Sequence, residues 1–172
     1  MAATNSAYGG IRGLDNGTLS GGDGTGTAQF ALDSHRLALV KQARDLTGNL
    51  LPEGADVDSD SEIYFILIVE NPTAAPAPDI QLHDPLAIDQ FQYISNSLEM
   101  TVLPVGSTDL WNSPWSPVTD AVGSESPDDV ASVVIEEEVS RITFGAMAGQ
   151  ENASFDLERG QRVALRFRVR VE

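Results

Sequence analysis

Acidic side chains at alternating positions, Asp56, Asp58, Asp60 and Glu62, form the first group in this chain that could do chemistry. Carboxylates so spaced suit Ca²⁺, a hard cation that takes several oxygen ligands. An EF-hand loop is excluded, because Ser61 stands where glycine makes the sharp turn and Leu67 where the bidentate Glu belongs. A solvated acidic turn ahead of a strand is the favoured reading of this cluster, and a solvated edge or turn that of the run Glu136, Glu137, Glu138. No cofactor is expected beyond that weak Ca²⁺ candidate. His35 and His83 are the only imidazoles, with no further metal ligands at ordered spacing and no Ser/His/Asp grouping around them. The absence of Cys removes thiolate catalysis, disulfides and Cys-ligated metals. The N-terminal glycines lack the strand before and helix after that a phosphate loop requires. No catalytic residue is predicted, and the chain reads as a non-enzyme.

Two other groups point to contact instead of reaction. Trp111 and Trp115, beside Pro114 and Pro117, could stack on a sugar, although packing of their loop onto the body is the preferred reading. Arg162, Arg166, Arg168 and Arg170 alternate with Val163, Leu165, Phe167, Val169 and Val171. Successive strand side chains point to opposite faces, so one face is apolar and the other carries an arginine stripe. The stripe can pair with carboxylates across its own sheet, or meet the acidic face of another subunit.

The elements that position these groups are strands. Residues 1 to 27 are rich in Gly, Ser, Thr, Asn and Ala, which bury too little apolar surface to offset ordering entropy. Residues 1 to 35 are therefore expected to form a flexible arm, punctuated by Tyr8, Ile11, Leu14, Leu19, Phe30 and Leu32. The run from Ala28 to Leu32 is a short strand candidate. Residues 36 to 172 carry a continuous β pattern. Leu37 to Ala43 reads as a first core strand, and Glu62 to Glu70 (EIYFILIVE) as a central strand buried on both faces. Asp79 to His83, with Ile80 and Leu82 inward, is expected to end at Asp84 and Pro85. Further strands are predicted at Phe91 to Ile94, Leu98 to Leu103, Val133 to Glu136, Val139 to Phe144, Ala153 to Leu157 and Gln161 to Val171. Residues 104 to 129 read mainly as a long loop. About eight or nine short strands without a convincing helix indicate an all-β, Ig-like antiparallel sandwich.

Three stretches carry a resemblance. Leu37 to Lys41 (LALVK) precedes Asp45, Gly48 and Asn49. Asp58 to Pro85 reads DSDSEIYFILIVENPTAAPAPDIQLHDP, with Tyr64, Asn71, Ala75, Pro76, Asp84 and Pro85 at characteristic places. Leu157 to Gly160 leads into the alternating last strand. Together they resemble the bacterial and archaeal cell-surface repeat domain known as domain of unknown function number eleven. The resemblance spans about residues 36 to 103 and 153 to 172. It implies an Ig-like surface module, usually in tandem; this chain carries one copy, an arm and a Trp-containing insertion. Some Ig-like pilin modules also cross-link a first-strand Lys to a last-strand Asn. Lys41 would be the donor here, but Gln161 to Val171 contains no Asn and Asn152 lies outside it, so the cross-link is not expected.

The net charge is −16, and Lys41 is the only lysine among ten basic residues. Like charges exclude nucleic acid and anionic membranes as natural partners, and no stretch approaches the roughly 20 apolar residues of a membrane span. No signal peptide is expected after Met1. The first functional expectation is a structural subunit of an extracellular filament, pilus-like fibre or surface layer. It would polymerise with itself by adding its arm as a donor strand to a neighbour's free edge. Phe30 and Leu32 are the primary plugs, with Ile11, Leu14 and Leu19 as alternates and the arginine stripe as a further contact. The second is a monomeric cell-surface adhesion module that engages other surface proteins or glycans through Trp111 and Trp115.

Overall fold

The computed structural model describes residues 14–15, 18–19, 37–119, 130–135, 139–146 and 152–172. The chain divides into two units, Met1–Ser34 and His35–Glu172. In the first, β1 (Leu14–Asp15) pairs antiparallel with β2 (Thr18–Leu19), Leu14 standing opposite Leu19. The expected featureless arm therefore contains a short ladder. The sequence reading missed this pairing, although Asn-Gly in a sequence is a strong short-range hairpin signal. Ile11, Phe30, Leu32 and the strand candidate at residues 28–32 lie outside the described residues.

The second unit is an all-β antiparallel sandwich. Its strands are β3 (Ala38–Arg44), β4 (Glu62–Glu70), β5 (Leu82–Ala87), β6 (Phe91–Tyr93), β7 (Glu99–Pro104), β8 (Ser116–Pro117), β9 (Ala131–Ile135), β10 (Val139–Phe144) and β11 (Gln161–Val171). The larger sheet runs β3-β4-β11-β7-β8, with β6 also on β11, and the smaller runs β5-β10-β9. No helix occurs among the described residues. β4 and β11 form the central ladder, from Glu70 opposite Arg162 to Glu62 opposite Arg170. Its inner face presents Ile63, Phe65, Leu67 and Val69 beside Val163, Leu165, Phe167 and Val169. Across from them Leu86, Val133, Ile142 and Phe144 of the smaller sheet complete one core. Each such side chain contributes about 1.5–3 kcal/mol on full burial.

Three expectations about elements need correction. β3 is not a core strand: among the described residues it forms the edge of the larger sheet, and Leu39 and Val40 are 61% and 44% exposed. β5 does not stop at Pro85 but runs through it, with Pro85 opposite Arg141. It too is an edge strand, where alternate N–H groups face away from the partner and a missing donor is tolerated. Residues 153–157 form no strand, only an isolated bridge of Leu157 with Ala77. The opposing backbone turns left-handed at Asp79 (φ 50°), which breaks the two-residue repeat, and Phe155 packs on Phe144 at 4.9 Å instead.

Asn71, fully buried at the end of β4, ties the crossing to the last strand. Its Nδ2 donates to the carbonyls of Ala75 (2.8 Å), Leu157 (3.0 Å) and Glu158 (3.3 Å). Its Oδ1 accepts from the Thr73 amide and hydroxyl. Its backbone accepts from Gly160 N, and Gly160 holds the left-handed φ of 68° that lets the chain reverse into β11. Asn71→Ala removes the buried amide that bridges three carbonyls and accepts from the Thr73 amide, although the Ala75 and Leu157 carbonyls keep the Thr73 hydroxyl and the Ala77 N–H as donors. It is expected to destabilise the fold by about 2–4 kcal/mol in urea denaturation; a loss below about 1 kcal/mol would show that water substitutes for the amide.

Candidate assembly and contact sites

The arginine stripe sits on the outer face of the central ladder, and carboxylates of the same sheet meet it. Arg162 pairs with Glu70 at 3.3 Å and Arg166 with Glu99 at 2.6 Å, each directly across the ladder. Arg168 and Arg170 share Glu62 at 3.2 and 3.4 Å. Arg162, 8% exposed, also donates to the Ser107 carbonyl. Four cations thus find three carboxylates within the sheet, which is the in-sheet reading of the stripe. Arg168 and Arg170 are the more exposed pairs, and ion pairs of that kind are worth about 0.2–1 kcal/mol.

The tryptophan loop explains why β4 reads as buried on both faces. Ile66, Ile68 and Ala164 point outward, away from the main core, and form a second apolar cluster with Leu110, Leu103, Trp111 and Trp115. Arg166 lies within this cluster, 4.3 Å from the Trp115 ring centre, 5.1 Å from Trp111 and 5.4 Å from Tyr64. A guanidinium so enclosed gains from the negative ring faces while its Nε–H serves Glu99. Trp115 Nε1–H donates to the Trp111 carbonyl at 3.1 Å, and Tyr64 meets Trp111 edge-on at 5.1 Å. Both indoles are half-buried and engaged with the sheet, as the packing reading of this loop expects.

Trp111 also presses on the turn after β3. A Cβ built on Gly48 (φ +93°) would come within 2.5 Å of three indole atoms. This turn is organised by Asp45, whose Oδ1 accepts from the Thr47 amide and hydroxyl and from the Asn49 amide. Its Oδ2 accepts from the Asn49 side chain. These donors, the Asn49 and Thr47 side chains foremost, hold the Asp45 carboxyl at about 2, against an ordinary 3.8.

The acidic cluster is not gathered around a point. Glu62 is committed to Arg168 and Arg170, while Asp56, Asp58 and Asp60 are exposed. Among the described residues no group of three or more His, Asp or Glu side chains is placed to hold a metal ion. The run at residues 136–138 and His35 lie outside the described residues, and His83 is exposed on β5. Lys41 instead meets Asp84 at 2.7 Å, linking the edge strands of the two sheets, with its ammonium 4.4 Å from the Phe65 ring centre. Sequence reasoning missed this pair, because the partners are distant in the chain and only the stacking of sheets brings them together. The place of β3 at the edge of the described sheet was equally hidden: LALVK reads the same in an edge strand as in a central one.

No family profile and no curated protein sequence matches the chain, so the resemblance to the surface repeat domain rests on its motifs. Among solved structures it is similar to the pilus backbone (RrgB) from Streptococcus pneumoniae, at 12% identity and a TM-score of 0.34. The match covers 77% of this chain and 27% of the length of that one.

Gly48→Ala forces a side chain into the indole and an unfavourable φ. It is expected to cost about 1–3 kcal/mol in thermal or urea unfolding and to weaken the near-UV tryptophan circular dichroism. Because the Asp45 carboxyl is depressed in the fold, its stabilisation is complete above the ordinary value of 3.8 and is lost as pH falls towards 2. An NMR titration of Asp45 should show a midpoint near 2 that rises towards 3.8 in Asn49→Ala.

Proposed function

We propose that this protein is a non-enzymatic structural subunit of an extracellular filament, pilus-like fibre or surface layer. Copies assemble by adding the N-terminal segment, residues 1 to 35, as a strand to a neighbour. The observation that supports this is strand β3, which among the described residues is paired on one side only and leaves Leu39 61% exposed. An unpaired edge with apolar side chains is a template for another strand. Backbone hydrogen bonds then supply affinity and alternate side chains supply fit.

The charge is compatible with that route. Copies at −16 repel at long range, but saline reduces the reach of this repulsion to about 8 Å, so contacts made by neutral backbone and apolar groups decide association. A head-to-tail contact between non-equivalent surfaces extends without closing, which produces a fibre and not a dimer. The adhesion reading through Trp111 and Trp115 is weaker, since both indoles are packed around Arg166.

In saline, the full-length protein is expected to form fibres visible by negative-stain microscopy. Deletion of residues 1 to 35 should give soluble monomers by light scattering, and so should full-length F30D/L32D. Fibres of undiminished length from both variants would overturn the reading.

A further inference from the structure

The sandwich has an unfilled corner. Leu39 stands opposite Val69 in the β3–β4 ladder and so shares its inward face, yet the core leaves Leu39 61% exposed and Leu37 36% exposed. A mainly apolar groove of about 420 Å³ opens there, walled by Leu37, Leu39, Val69, Ala77, Ile80 and Leu82, with Asp79 and Gln81 also on its lining. β3 and β5, which flank it, are edge strands of their respective sheets. Further along β3, the Lys41–Asp84 bridge joins those two edges.

Resting on the polymer reading above, we propose that this groove is the acceptor and that residues 28–32 of a second copy occupy it. They lie antiparallel along the free edge of β3, with Leu32 opposite Leu37 and Phe30 opposite Leu39. Residues directly opposite in an antiparallel pair share a face, so this register turns Phe30 and Leu32 inward onto the exposed leucines. Ala28 then falls opposite Lys41, where the bridge to Asp84 already fills the space between the sheets and a methyl group intrudes least. Gln29 comes opposite Val40 on the outer face and covers its exposed side chain. Residues 24 to 32 carry no charge, which suits a groove whose wall is mostly apolar and whose one charged lining residue is Asp79.

The sequence also favours this occupant: the run from Ala28 to Leu32 has the two-residue alternation that turns Phe30 and Leu32 to one face. The same ladder closed within one chain would need residues 33 to 36 as its connection and would yield a sealed monomer. Exchanged between chains, it uses the same contacts and links each copy to the next.

The chain has no cysteine, so introduced thiols report unambiguously. Full-length Phe30→Cys and Leu39→Cys proteins, carrying tags of different mass, are mixed in saline and oxidised with diamide. The expected product is a disulfide-linked heterodimer, absent when Val102→Cys, on β7, replaces Leu39→Cys. The double variant F30C/L39C should give a ladder of covalent multimers. A double variant that runs only as a monomer with a closed disulfide would place the segment in its own groove and overturn the exchange. Absence of any cross-link while fibres persist on the grid would overturn the groove but leave the polymer reading standing. Absence of fibres from the wild type would sink the polymer reading, whatever the thiols report. As a second measure, full-length Leu39→Glu should abolish fibres with an unchanged melting temperature; fibres at wild-type length would count against the groove.

Discussion

The antiparallel ladder between β4 and β11 is the constraint on which the rest of the second unit depends. It is the longest pairing among the described residues, and each of its faces must be covered by something different. On the inner face the branched and aromatic residues of both strands meet the smaller sheet in a single core. On the outer face apolar positions of β4 lie beside arginines of β11, a combination no single partner can satisfy. Packing Ile66 and Ile68 requires apolar cover, whereas Arg162 and Arg166 require carboxylates or ring faces once water is displaced.

The loop after β7 meets both demands. Leu110, Trp111 and Trp115 supply the apolar cover, and the indole faces receive Arg166. Glu70, Glu99 and Glu62 supply the negative charge from neighbouring positions in the same sheet. Arg162 shows how tightly this end is sealed: its Nε is the one buried side-chain nitrogen or oxygen without a partner among the described residues. The arrangement also draws the turn after β3 into the same assembly, because Trp111 lies on Gly48. Loop, turn and central strands therefore stand or fall together.

At the other end of the larger sheet the cover stops. Among the described residues β3 pairs with β4 on one side only, and the smaller sheet leaves Leu37 and Leu39 exposed. The Lys41–Asp84 pair is the one described ion pair that connects the two sheets there.

Alternation and punctuation in the chain determined much of this by themselves. The bounds of β4, β10 and β11, the two-faced character of β11, the burial of both faces of β4 and the all-β architecture follow from side-chain periodicity, a local property. Tertiary structure alone decided which strand lies at an edge, because LALVK carries no mark of its neighbours. It decided that β5 continues through Pro85, since only an edge tolerates a missing donor. It also decided where the charges go: Arg166 reaches Glu99 and two indoles, and Lys41 reaches Asp84, across separations that local pattern does not encode. Backbone geometry repeats every two residues and is written locally, whereas pairing partners depend on how sheets stack, which the whole chain sets at once.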